Sequence, residues 1–285
     1  MMKVQASLVL VASAIFGNVL GATAGCGKTP TNIKAGVNTV TVNGKTREWT
    51  LTLPENYDNT KPHRLIFGLH WLGGTMNDVV NGPAIQPYYG LPELVNSSTI
   101  FVAPNGLRAQ IGTGWENKDG EDIAFMKEIV KATNENLCIN EKLRFSMGFS
   151  YGAAMSYAIA CELYQDFRAV AALSGGTMSG CVGGTNPVAY YGQHGISDTV
   201  LPLSLGKQIR DTFVRNNGCA AENTPDPAPG SKSHLVTKYS GCAADKPVWW
   251  TSFDGGHTAT PADGGTNKNT TFTHPQVWEF FSQFT

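Results

Sequence analysis

The sequence predicts an α/β fold in one domain, a mostly parallel central sheet with helices on both faces and an antiparallel hairpin at its start. Three observations carry that expectation. Short apolar runs at residues 65–69, 99–103, 143–147, 169–173, 188–191 and 248–253 lack the alternation of a half-exposed strand, so they suit strands covered on both faces. Helical candidates at 121–136, 151–164, 203–216 and 275–284 alternate with those runs, which is the signature of parallel pairing through crossovers. The start differs. Residues 37–42 and 46–53 mix β-branched, aromatic and polar types in near alternation, joined by the hairpin turn Asn43-Gly44. Gly44-Lys45-Thr46 has the look of a phosphate-loop tail, but the first glycine of that motif would fall at Thr39, so the hairpin reading stands.

Composition narrows the function classes. With 285 residues, 41% hydrophobic and 15% charged, the chain has material for one large core and too little charge for disorder. Twenty-one Lys plus Arg against 22 Asp plus Glu leave a net charge of -1, which offers no basic footprint for nucleic acid and no polybasic membrane anchor. A monomer acting on a small or polymeric substrate is expected. Met1-Met2-Lys3, an apolar stretch to Leu20 and the small residues 21–24 have the layout of a secretory signal peptide ending at Gly21 or as late as Ala24. Residues 22–285 then form a single secreted catalytic domain. All six cysteines follow the signal, which reads as three disulfides in an oxidising compartment. Cys219 and Cys242 flank the polar insertion 223–233 and are paired first. Cys138 enters a strand and Cys161 leaves the next helix, both at the bottom of the sheet, so they are paired next, leaving Cys26 with Cys181. No Cys-x-x-Cys or His-x-x-x-His spacing occurs, so neither a metal nor another cofactor is expected. Asn96-Ser97-Ser98 and Asn269-Thr270-Thr271 are glycosylation acceptors expected on the surface.

The sharpest local signal is Gly148-Phe149-Ser150-Tyr151-Gly152, directly after the apolar run 143–147 and directly before the small-residue stretch 153–158. Strand, tight turn and helix are the setting of a nucleophile elbow: glycines let strand and helix pass closely, and the Ser150 hydroxyl is lifted to a helix N-terminus where negative charge is favoured. A serine hydroxyl is a weak nucleophile until a histidine takes its proton, and that histidine needs a carboxylate to fix its tautomer. Both are expected downstream, acid before base, each past a strand end. Asp198 follows the run 188–191 through a Gly- and Ser-containing turn; its blander reading is a cap for the helix from Leu203. His257 follows the run 248–253 through Asp254-Gly255-Gly256. Of the six histidines it alone has that late placement. His63 and His234 lie in polar loop sequence, His194 precedes the acid, and His274 stands at a helix start. Asp245 and Asp254 are rival acids, but neither follows a strand of its own between nucleophile and base. The tetrahedral intermediate needs two amide donors. One is the Tyr151 amide; the other comes from His70-Trp71-Leu72-Gly73-Gly74, where counting from His70 favours the Leu72 amide with Trp71 as alternate. Trp71 must lie near the reacting carbonyl, but spacing does not fix whether its ring lines the acyl pocket or packs in the core.

These residues resemble the secreted fungal feruloyl esterases of carbohydrate esterase family one, related to acetylxylan esterases and polyhydroxyalkanoate depolymerases, over nearly the whole mature chain. The marks are Ala24-Gly25-Cys26-Gly27-Lys28, Leu53-Pro54-Glu55-Asn56-Tyr57, Phe67-Gly68-Leu69-His70-Trp71, Ala103-Pro104-Asn105-Gly106, the elbow 148–152, the acid turn 192–198, Asn217-Gly218-Cys219 and Tyr239-Ser240-Gly241-Cys242. The resemblance implies an α/β-hydrolase fold, a triad of Ser150, Asp198 and His257, and hydrolysis of hydroxycinnamate esters, chiefly ferulate, from arabinose side chains of plant cell wall xylan. Two departures from the family's usual wording are Gly192 at the head of the acid turn and Ala153 after the elbow. The other readings are an esterase for a smaller acyl group, such as acetate on xylan, and a catalytically dead hydrolase fold that binds carbohydrate.

Overall fold

The computed structural model describes residues 21–109, 111–181, 184 and 186–285. Residues 1–20 of the expected signal peptide lie outside them. The hairpin forms as β1 (Gly36–Val42) and β2 (Lys45–Thr52), with Val42 opposite Lys45. Asn43 and Gly44 both take positive φ, 51° and 77°, as a two-residue turn matched to strand twist demands. Then come β3 (His63–Leu69), α1 (Met76–Asn81), a 3-10 segment Pro87–Glu93, β4 (Thr99–Pro104) and a small ribbon of β5 (Leu107–Ala109) and β6 (Gly112–Gly114). α2 (Glu121–Asn136), β7 (Ile139–Phe149), α3 (Tyr151–Glu162), β8 (Ala169–Leu173), β9 (Ala189–Gly195) and α4 (Leu203–Asn216) follow. The chain closes with β10 (His234–Lys238), β11 (Val248–Phe253), a ribbon of β12 (Pro261–Ala262) and β13 (Gly265–Thr266), and α5 (Thr273–Ser282).

Among the described residues, nine strands form one sheet in the order β1-β2-β4-β3-β7-β8-β9-β11-β10. The six from β4 to β11 run parallel, and antiparallel strands close both edges. Two apolar layers explain the unalternating runs. Side chains of α2, α3 and α4, among them Phe125, Met155 and Phe213, cover one face; those of α1, the 3-10 segment and α5, among them Val79, Tyr89 and Phe280, cover the other. No helix among the described residues is long and apolar enough to cross a membrane.

The disulfides correct the sequence reading at two of three places. Cys219 is joined to Cys242, the pair expected at that insertion. Cys138, however, is joined to Cys26, and Cys161 to Cys181. Cys138 and Cys161 do lie towards the strand starts, but a different segment meets each there. Residues 21–26 run along the entry to β7, where the Thr23 amide donates to the Ile139 carbonyl at 3.0 Å and the Gly25 amide to the Asn134 carbonyl at 2.8 Å, which brings Cys26 onto Cys138. The link from β8 to β9 must return to the start of the sheet, and it returns past the end of α3, where Cys181 meets Cys161. A second difference is the length of β9, which continues through His194 to Gly195 instead of ending at 191. Gly192 and Gly195 read as turn residues, yet their missing side chains make room within a strand: a Cβ on Gly192 would lie 2.7 Å from the Tyr190 hydroxyl, and one on Gly195 2.4 Å from the Gly255 carbonyl.

Candidate active site

The elbow is built by contact that only glycine permits. A Cβ on Gly148 would sit 2.5 Å from the backbone of Gly152, and a Cβ on Gly152 would sit 2.4 Å from the Leu69 carbonyl oxygen. Strand β7, helix α3 and the loop after β3 therefore cross at van der Waals range. Ser150, between them, takes φ 56° and ψ −115°, a strained conformation for a residue with a side chain, and its amide donates to the Leu173 carbonyl on β8 at 2.9 Å. That strain turns its hydroxyl out at the first turn of α3.

The three side chains expected to act together form one hydrogen-bonded chain. The Ser150 Oγ lies 2.9 Å from His257 Nε2, and His257 Nδ1 lies 2.6 Å from Asp198 Oδ2. A carboxylate can only accept, so Nδ1 carries the proton and Nε2 presents its lone pair to the hydroxyl. The other carboxylate oxygen, Oδ1, accepts the amides of Val200 at 2.9 Å and Leu201 at 2.8 Å, and the side chain is fully buried. The acid and base loops are also stitched directly: the Ile196 amide donates to the Phe253 carbonyl and the Ser197 amide to the Gly255 carbonyl. The rival acids are occupied elsewhere, Asp254 on the Lys232 amide and Asp245 on Arg168. Of the other histidines, His63 is buried at the head of β3, His234 sits in β10 against Asp263, and His274 lies in α5.

The loop after β3 is held by His70, a residue whose work the sequence did not reveal. Its imidazole is completely buried. Nδ1–H donates to the Trp71 carbonyl at 2.8 Å while Nε2 accepts the Gly106 amide at 2.9 Å, so one neutral tautomer satisfies both, and burial pulls its pKa down to about 4. Trp115 Nε1–H donates to the His70 carbonyl at 2.8 Å. The Gly73 amide is taken by the Thr113 carbonyl and the Gly74 amide by the Trp71 carbonyl. The Leu72 and Tyr151 amides have no acceptor among the described residues. Tyr89 pins this loop to the elbow, donating to the Leu69 carbonyl at 2.6 Å and accepting the Phe149 amide at 3.1 Å. Phe149 packs its ring on the His257 imidazole at 4.6 Å between centroids, and Trp71 meets Phe149 edge-on at 6.5 Å. The Trp71 ring packs against one core layer and stays partly exposed beside Phe149, the ring that lies on His257. Leu72 of this loop and Ile111, between β5 and β6, are large apolar side chains exposed to solvent. A cleft of about 550 Å³ lined by Lys142, Arg168, Lys246 and Phe284 lies at the starting ends of the strands, the wrong end of a parallel sheet for its chemistry.

No family model matches the chain. Among characterised proteins it is 48% identical to feruloyl esterase C of Emericella nidulans, across 95% of this chain and 96% of that one. It is 45% identical to feruloyl esterase D of Neurospora crassa, across 91% and 90%. Among solved structures it resembles an acetyl xylan esterase from Aspergillus awamori (TM-score 0.62, 16% identity, 87% of this chain and 99% of that one). It also resembles a ferulic acid esterase from Anaeromyces mucronatus in complex with ferulic acid (TM-score 0.51, 20% identity, 65% and 79%). At such identities the structures speak for the fold alone, an α/β-hydrolase sheet; the sequence relatives, aligned almost from end to end, go further, and the chain belongs to the fungal feruloyl esterases.

Proposed function

We propose that this esterase releases hydroxycinnamic acids, chiefly ferulate, from feruloylated arabinoxylan and from small hydroxycinnamate esters outside the cell. The observation that carries the reading is the Ser150-His257-Asp198 chain, 2.9 and 2.6 Å long, standing at the ends of three parallel strands beside an aromatic border. Ser150 Oγ attacks the ester carbonyl carbon as its proton passes to His257 Nε2, and Asp198 stabilises the imidazolium. The oxyanion is taken by the Leu72 and Tyr151 amides. The carbonyl carbon–alkoxy bond breaks, and His257 returns the proton to the departing sugar oxygen. Water then attacks the acyl-Ser150 ester with His257 again as base, freeing ferulate and regenerating the hydroxyl. Export is supported by the signal layout of residues 1–21 and by three disulfides. Asn96 and Asn269 are both exposed, as glycan acceptors must be.

The test sets methyl ferulate beside an acetate ester. Wild type should favour the ferulate, and Ser150→Ala should fold normally yet lose turnover by roughly three orders of magnitude or more. A variant keeping a tenth of wild-type turnover would sink the assignment of the nucleophile, and a preference for acetate would sink that of the acyl group.

A further inference from the structure

His194 takes no part in the steps above, yet it lies completely buried in β9 against the acid of the triad. Its Nε2 is 2.7 Å from the Leu201 carbonyl and 3.4 Å from Asp198 Oδ2, the same oxygen that holds His257. A carbonyl only accepts, so Nε2 carries a proton. Nδ1 is buried with no partner among the described residues, pressed against α4 so closely that a Cβ on Gly206 would lie 2.3 Å from it. A second proton on Nδ1 would be buried with no acceptor, and burial of the ring disfavours its charged form, which together hold it as the neutral Nε2–H tautomer. Asp198 is thus faced by His257 from the base loop, by His194 from β9, and by the Val200 and Leu201 amides of its own loop. Beyond the His194 ring stands Trp250 of β11 at 6.4 Å, with the Arg210 guanidinium of α4 over that indole.

We propose that His194 is a positioning residue for Asp198: its Nε2–H fastens the acid loop through Leu201 and turns the positive end of a neutral dipole towards Oδ2, so the carboxylate stays ionised and its pull on His257 is moderated. This rests on the triad reading given above. Removing the dipole has one sign by either route. A carboxylate less well satisfied gives up its hold on the base more readily as acid is added, and one whose charge is less neutralised favours the imidazolium of the base more strongly; both move the acidic limb of activity upward.

Gln can present an amide nitrogen where Nε2 stands, whereas the shorter Asn cannot. His194→Asn should therefore move the acidic limb of kcat/KM on methyl ferulate up by roughly half a pH unit or more with KM little changed, and His194→Gln should return it to the wild-type position. The pH dependence of Ser150 labelling by a fluorophosphonate reads the same limb without any ester. Labelling that shifts as expected in an enzyme that ignores methyl ferulate would refute the substrate reading and leave this one standing. An unmoved limb in His194→Asn, or equal shifts in both variants, overturns it. Should the variants not fold, nitrogen NMR of the wild-type enzyme decides: His194 must be neutral with Nε2 protonated throughout the acidic limb, and an Nδ1–H tautomer or a titrating ring overturns the proposal.

Discussion

Trp71 and His257 are bridged by a single ring, that of Phe149, and this bridge makes the role of the Trp71 side chain testable. On the proposed function, a phenolic acyl group whose carbonyl reaches Ser150 would extend to that aromatic border, while an acetyl group would end before it. Trp71→Ala should accordingly lower kcat/KM on methyl ferulate about tenfold or more and change the acetate ester little, since an aromatic contact is worth about 1 kcal/mol beyond its buried area. Equal losses on both esters would place the ring in the scaffold. That Ser150, Asp198 and His257 would meet was legible because order along the chain and position past a strand end constrain them tightly. Phe149, Tyr89, His70 and His194 were not. Their roles depend on which face of a strand or which carbonyl a side chain meets, and the pattern around each is also what an ordinary core residue would show.

Helix α2 shows how an element can be fixed by a polar knot that no motif announces. Asn117, in the left-handed region at φ 49°, caps it by accepting the Asp122 and Ile123 amides on its Oδ1, while Asp122 accepts the Asn117 amide in return. Asp122 is also bridged at 2.7 Å by Arg47 of β2, both side chains almost wholly buried and the guanidinium lying 4.2 Å from the Phe125 ring centre. Burial raises the Asp122 pKa although Arg47 opposes it, the mark of a carboxylate that depends on its partner. Arg47→Met should cost about 3–5 kcal/mol in denaturant unfolding, and adding Asp122→Asn should recover part of it. A single-variant loss below about 1 kcal/mol would show that water reaches the pair. The long apolar strands were readable from their runs. The edge strand β10, the two small ribbons and α1 were not, because short polar segments take their shape from the neighbours they join. The pairings expected for Cys138 with Cys161 and Cys26 with Cys181 failed for a related reason: lying at one end of the sheet is necessary for a bond but does not choose between partners there.

For the molecule as a whole, the buried histidines set how acid is tolerated. His70 has an ordinary value of 6.5 and about 4 in the fold, and burial moves His194 in the same direction. The unfolded chain then binds these protons first, so the stabilisation is complete above about pH 6.5 and is lost as pH falls from there towards 4. For His70 the full loss is about 3 kcal/mol at 1.36 kcal/mol per unit. Melting temperature against pH should therefore be flatter in His70→Asn than in wild type over that interval, and equal slopes would show that His70 is not the group responsible. The other feature at this scale is where the first and last described segments meet the sheet. Thr23 is bonded to the first residue of β7, while Ser150 stands just past its last, and Arg64 at the start of β3 holds the Phe284 carbonyl. Eleven residues of strand at about 3.3 Å each separate the two levels by roughly 35 Å. Thr23 and Phe284 thus share the end of the sheet opposite the reactive serine, and a graft made there, to a bead or to a cellulose-gripping module, would leave the working side facing outward.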